Sequence, residues 1–349
     1  HSALAALSPA DVVALFEAEG VATKTEPGGK IFPASDRAVD VRDALLRRLH
    51  RSGAQLALGE PVLGIGRRVD NAAGFVIETN QQVLHTEHLV LVTGGQSYPE
   101  CGTTGDGYAW AKELGHSIIP TRPALVPLKT GPAWVTDLQG VTVPDVAVWI
   151  SEPGSDPAKQ EKRLKSKSIR RGSFLFTHFG VSGPVVLDVS RFVVLHDRPM
   201  NLQLICDVLP SMTAVDLNTQ LQRHAGEQGR KSVAELLPAA LPRRLAESLT
   251  RCAGMSVDLR SSEMTRLQRQ RLTEAVKQAR IEIRGTMGFR KAEVTTGGVL
   301  LNEVDSRTMQ SKVAPVLFLA GEILDLDGPI GGYNFQSAFS TGWLAGTHA

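Results

Sequence analysis

The chain has 349 residues, more than a single hydrophobic core usually serves, so two or three substructures are expected. With 42% hydrophobic and 21% charged residues it has the balance of a soluble globular chain, and a net charge of +2 gives no reason to expect nucleic acid or an anionic membrane as partner. No apolar run reaches the roughly 18 residues of a membrane span, and Cys101, Cys206 and Cys252 form no CxxC pair, which argues against a disulfide framework or a metal site and makes a reducing cytoplasm the expected location.

Ser8-Pro9-Ala10-Asp11 carries the marks of a helix start: a hydroxyl cap, Pro in the first turn and an acid beside it. That helix runs through Val12, Leu15, Phe16 and Ala18 and ends at Gly20. A turn and short strand over Gly28–Asp36 lead to a helix from Ala38 to Arg51, with Val41, Ala44, Leu45 and Leu49 on its apolar face. Gln55–Leu58 and Val62–Ile65 read as strand, and Phe75–Thr79 with Gln82–His85 as a hairpin. Gly64-Ile65-Gly66 lacks the third glycine and the following helix of a dinucleotide fingerprint, and no GxGxxG follows a strand anywhere. His88–Val92 is a buried strand ending in Thr93-Gly94-Gly95, and a helix follows from Asp106 to Leu114. Cys101 reads as a passive small side chain or a redox partner, with no second Cys, His or Arg beside it to lower its pKa.

From Pro120 the prolines at 120, 123, 127, 132 and 144 punctuate short apolar runs, the pattern of a β-rich insert. Lys159–Arg171 holds seven basic residues and one acid. A nucleic-acid or NADPH-phosphate patch is one reading, and a solvated loop between two strands is the one favoured, because no aromatics interleave with the charges. Gly172–Thr177 is an apolar strand, followed by a Gly/Pro-framed turn with Thr177, His178 and Ser182. These polar groups either brace the turn or line a substrate site, where His178 could move a proton near neutral pH. Val185–Val189 and Asn201–Val208 read as further strands. A helical period then takes over in Thr213–Gln228, Val233–Leu237, Pro242–Gly254 and Ser262–Arg280. The chain returns through Lys291–Val299 to the apolar strand Ala314–Ala320, Gly321-Glu322, an acidic loop, Gly331-Gly332 and a helix over Ser337–Gly346. Glycines ahead of a helix let the backbone approach a ligand, and the helix start offers free N–H groups to an anion or a charged carbonyl. An ordinary connection between strand and helix has the same form.

The strings Phe32-Pro33-Ala34-Ser35-Asp36, Gly94–Tyr108, Gly172–Pro184, Ala292–Val299 and above all Ala320–Gly346 resemble a known family. It is the BaiN-like or YhiN-like bacterial flavoproteins, NAD(P)/FAD-dependent oxidoreductases, whose closing stretch is similar to AGExLDxxGxxGGYNxQxAxxTGxxAG. The resemblance implies an α/β fold of the two-dinucleotide, Rossmann-like FAD-binding type. That domain is discontinuous over 1–122 and 286–349, with a β-rich insert at 123–212 and a helical part at 213–285. It implies FAD as cofactor and NAD(P)H as electron donor, with hydride transferred to or from an unidentified small organic substrate. It places Val62, Thr93, Gly94, Gly321, Glu322, Gly332, Tyr333, Asn334 and Phe335 against FAD, with His178 as the only catalytic candidate and no metal. Roughly seventy residues holding the first βαβ unit are expected upstream on this resemblance. Two alternatives remain: a binding module that uses the Lys159–Arg171 strip without redox turnover, and a tRNA-modifying flavoprotein.

Overall fold

The computed structural model describes residues 2–26, 28–68, 74–153 and 166–349. Most of the basic strip, including Lys159, Lys162, Arg163 and Lys165, lies outside them. The described chain divides into two units, His1–Arg122 with Val294–Ala349, and Pro123–Glu293. Each has its own core.

In the first unit the short strands Leu89–Leu91 and Leu317–Leu319 pair in parallel, Leu89 opposite Leu317 and Leu91 opposite Leu319. Leu317, Phe318 and Leu319 are fully buried, as expected for an uninterrupted apolar run covered on both faces. The helix Tyr333–His348 packs on this pair, and its Ser340 Oγ and Gln336 Nε2 both donate to Leu7 O. Ser8 caps the helix Pro9–Ala18 in a reciprocal capping box with Asp11. That helix is tied to Ala38–Arg51 through Glu19, a buried carboxylate that accepts from Arg51 and sits 3.5 Å from Arg48. A three-stranded antiparallel meander, Val62–Arg67, Phe75–Thr79 and Val83–Thr86, follows in the chain. Gln55–Leu58, expected as strand, is irregular: its two leucines are exposed, so the apolar alternation has no face to bury.

A buried Ser–His–Glu chain sits in this unit. His116 Nδ1 is 3.0 Å from Glu303 Oε2, and its Nε2 is 2.8 Å from Ser311 Oγ. Ser311 Oγ also accepts the N–H groups of Val313 and Ala314, and Glu303 accepts that of Ser117. With His116 and Ser311 almost wholly enclosed, the chain is a brace for two turns rather than an exposed nucleophile.

The second unit is a closed antiparallel barrel of six strands: Arg170–Thr177, Gly180–Ser182, Leu128–Thr130, Ala279–Thr286, Gln203–Asp207 and Thr142–Ser151. Phe174, Phe176, Val148, Ile150 and Leu204 are buried in its core. The helices Ala214–Glu227, Arg243–Cys252 and Arg266–Lys277 share one core with the barrel and form no third unit. The expected helix over Ser262–Arg280 stops at Lys277, because Ala279 and Arg280 already pair with Cys206 and Ile205. Residues 286–293, expected with the first unit, belong to the second: Thr286 pairs with Leu128, and Glu293 N donates to Leu125 O.

Val185–Val189, expected as strand, is part of the helix Pro184–Val194. Pro184 sits in its first turn, and Val185, Val186, Val189 and Val193 fall on one buried helical face against the barrel. Three β-branched valines within five residues imitate a strand until the spacing to Val193 is counted.

Candidate functional site

The first unit gathers the glycine-flanked strand ends. Leu89–Leu91 runs into Val92-Thr93-Gly94-Gly95, and its parallel neighbour Leu317–Leu319 runs into Ala320-Gly321-Glu322. Parallel strands present the residues beyond their carboxyl ends side by side, the place where open α/β sheets bind ligands. Glu322 is half-buried there, and its Oε1 accepts Thr295 N at 2.8 Å. A β-carbon on Gly95 would stand 2.4 Å from that same Oε1 and 2.4 Å from Thr295 Oγ1, so only glycine lets the Glu322 carboxylate reach Thr295. Thr295 Oγ1 accepts Gln96 N at 2.8 Å and shares a hydrogen bond with Ser97 Oγ. Gln96 in turn accepts from Thr121.

Burial raises the Glu322 carboxyl above its usual range, the nearby Asp327 adds to this, and the Thr295 bonds pull it back down. Tyr108, at the start of the helix Asp106–Glu113, donates to Glu322 O at 3.3 Å. Burial, with the charges of Glu322 and Asp325, lifts its phenol well above the ordinary range, so it stays protonated. Thr93 Oγ1 is enclosed but finds no hydrogen-bond partner among the described residues. A buried hydroxyl without a partner costs free energy unless something outside the chain supplies one.

The helix Tyr333–His348 begins at Gly332, which adopts φ 92° and faces open space. No side chain caps it, so its first N–H groups are free. Asn334 spends its amide on the preceding loop, accepting Gly328 N at 2.8 Å and donating to Gly328 O at 3.0 Å. Tyr333 and Phe335 are left 61% and 75% exposed, an apolar pair at the mouth of a helix start. Gly321 N donates to Thr341 Oγ1, which fixes this helix against the strand end that carries Glu322.

Of the residues expected to hold a cofactor, Thr93, Gly94, Gly321 and Glu322 lie on the two strand ends, and Gly332, Tyr333, Asn334 and Phe335 at the helix start. Val62 opens the meander, opposite Thr79, and packs on the core of this unit. His178 is an exposed residue of the second unit, edge-on to Phe179 at 5.0 Å. Thr295, Tyr108 and Gly95 were not singled out from the sequence. Thr295 was visible only as one letter of the Val-Thr-Thr-Gly-Gly string, since nothing in its spacing announces a hub for Glu322. In the basic strip, Arg171 forms a two-pronged pair with Asp145, and Arg170 lies over the Phe192 ring and donates to Lys167 O and Ile169 O. Among the described residues, no group of three His, Cys, Asp or Glu could hold a metal ion, and no helix is long and apolar enough to cross a membrane.

The sequence profile described as HI0933-like protein Rossmann domain matches residues 1–348. The chain belongs to the HI0933-like Rossmann family. Among the relatives in this family, the ribosomal RNA dihydrouridine synthase of Escherichia coli K12 is 33% identical over 345 residues, 98% of this chain and 79% of the relative. The 3-dehydro-bile acid delta(4,6)-reductase of Clostridium scindens is 31% identical over 344 residues, 97% of this chain and 80% of the relative. The ribosomal RNA dihydrouridine synthase of Haemophilus influenzae is 30% identical over 345 residues, covering 98% and 80%. These HI0933-like relatives therefore align with both units described above.

Proposed function

We propose that the protein is a flavin-dependent oxidoreductase that uses FAD, takes electrons from NAD(P)H and reduces a carbon–carbon double bond conjugated to a carbonyl. The observation that carries the reading is the enclosed, partnerless hydroxyl of Thr93 at the end of one parallel strand, beside the strand end that carries Glu322. These residues fit a flavin nucleotide: a free hydroxyl, a half-buried carboxylate for sugar or ribityl hydroxyls, and an uncapped helix start with exposed aromatic side chains. Thr93, Gly94, Gly321 and Glu322 would hold the polar chain, and the backbone of Gly332–Phe335 would meet the ring edge. A bound flavin supplies hydride acceptance and delivery.

The chain's own contribution is electrostatic and positional. Free N–H groups and the positive end of the helix Tyr333–His348 favour negative charge at its start. Thr295 and Gly95 fix the Glu322 carboxylate, and Tyr108 keeps its proton and holds the backbone of Glu322.

The substrate class follows from the names of the relatives. A dihydrouridine differs from uridine by one hydride and one proton added across a double bond next to a carbonyl, and a Δ4,6 reduction beside a 3-oxo group is the same change. A second reading, an RNA base as substrate, is favoured by the names of two relatives. Here Arg170 and Arg171 do not support a basic landing strip, because both are engaged within the barrel unit.

The test is a titration of the protein with FAD, read by visible absorbance, followed by anaerobic NADH or NADPH and then a substrate. Expected are a protein-bound flavin spectrum, its bleaching by one of the nicotinamides, and its return on adding a conjugated enone or a uridine-containing RNA. Absence of bound flavin for this chain and for a version extended at its N-terminus would sink the oxidoreductase reading. Return with RNA and not with enones selects the second reading.

A further inference from the structure

The second unit carries an open cleft of about 280 Å3, where the helices Arg243–Cys252 and Arg266–Lys277 meet the start of the strand Ala279–Thr286. Leu249 and Trp134 give it an apolar wall, and Trp134 is itself seated against Phe176, ring centroids 6.3 Å apart. Three charges stand around it. Arg280 lies 3.7 Å from Glu274, a long contact between two exposed side chains that leaves most of the Glu274 charge in place. Arg271 makes no hydrogen bond or ion pair among the described residues; its Nη1 stands 4.0 Å from where a β-carbon of Gly254 would be. Cys252 completes the lining.

We propose that this cleft binds a small monocarboxylate with a flat apolar body. A guanidinium fork without a partner is complemented best by a two-oxygen anion, which it meets with two parallel bonds. The adjoining Trp134, half-buried beside the buried Leu249, rewards a flat body that covers its remaining exposed face. Glu274 sets the charge limit: a doubly charged phosphate at Arg271 would also face that carboxylate and be repelled. At about 280 Å3 the open cleft falls just below the usual range of ligand sites, roughly 300–1,000 Å3, a size matched to a body of two fused rings. This site is built wholly from the second unit and is independent of the flavin reading.

The experiment uses 2-naphthoate with the full chain carrying Cys101→Ser, which leaves Cys252 as the exposed thiol and Cys206 as the buried one. Binding is read by calorimetry, and occupancy by the rate at which N-ethylmaleimide modifies Cys252. The expected result is saturable binding that slows modification of Cys252, with 2-naphthalenemethanol and 2-naphthyl phosphate both binding more weakly. Arg271→Gln is expected to weaken naphthoate roughly tenfold or more. Glu274→Gln is expected to admit the phosphate. Should Arg271→Gln not fold, Ala275→Phe fills the cleft with Arg271 kept, and is expected to abolish binding. No binding at millimolar naphthoate, equal binding of the alcohol, or naphthoate binding untouched by Arg271→Gln or by Ala275→Phe would each overturn the proposal.

Discussion

Glu322 shows how one side chain can be held against its own solvation. Its carboxyl is raised chiefly by burial, so the folded state binds the proton more tightly than the unfolded chain does. Such an acid costs nothing below its unfolded pKa. The cost of ionising it appears as the pH climbs from there to the raised folded value, and stays constant above. Glu322→Gln keeps an acceptor for Thr295 N–H and removes the charge. The expected outcome is a melting temperature close to wild type in acid and above wild type at neutral pH, with the gap opening across the carboxylate range. Melting curves at several pH values check this, and a gap that does not change with pH would show that ionisation is not what strains the site. The same position explains why Gly95 has no β-carbon. The two residues are far apart in sequence, so their dependence on each other could be read only after the strands were paired. The strings that carried the family resemblance contain Glu322 and Gly332 together with the glycines that a close backbone approach demands, but do not say which partner holds the carboxylate.

At the scale of the element, the helix Pro184–Val194 is joined to its surroundings through Ser190, which is fully buried. Its Oγ donates to Leu187 O at 2.7 Å and accepts Val126 N at 3.1 Å. Ser190→Ala leaves that backbone N–H without a partner in a place water does not reach, and is expected to cost about 1–3 kcal/mol. Urea unfolding of the variant against wild type measures it; a loss under a few tenths of a kcal/mol would mean that the N–H finds another acceptor. This helix is also where local reading failed, since valine runs satisfy a strand propensity and a buried helical face equally well. Helices with explicit punctuation were legible: Ser8 and Thr213 cap theirs as their sequence signals indicate, with neighbouring acids completing the turn. The final helix was read four residues short at its start. The Tyr-Asn-Phe-Gln stretch has no cap, and its exposed aromatics break the apolar stripe that would have marked the first turn.

At the scale of the whole molecule, the barrel unit is one continuous stretch of chain, and its core draws on its own residues alone. Its two ends are held together by the hydrogen bond from Glu293 N to Leu125 O at 3.1 Å. A polypeptide of Pro123–Glu293 is therefore expected to fold by itself, with a sigmoidal denaturant transition and dispersed amide resonances. A broad transition with collapsed resonances would contradict this. The β-rich character of the insert was visible in its proline spacing, but its closure was not: the strand Ala279–Thr286 joins only after three helices, a pairing that no local pattern announces.

The parallel pairing of Leu89–Leu91 with Leu317–Leu319 sets an order of assembly on the ribosome. The barrel unit can be complete while the last strand is still unmade, because everything it needs has already emerged. Leu89–Leu91 then still waits for its parallel partner Leu317–Leu319, and Glu322 has yet to reach Thr295. A message cut short after Glu293 would thus yield a well-folded barrel beside an unfinished first unit, with the strand Leu89–Leu91 lacking its parallel partner and with neither Thr295 nor the Glu322 carboxylate made. The strand Leu317–Leu319 and the turn that follows it thereby decide whether the first unit closes or is left to chaperones and proteases.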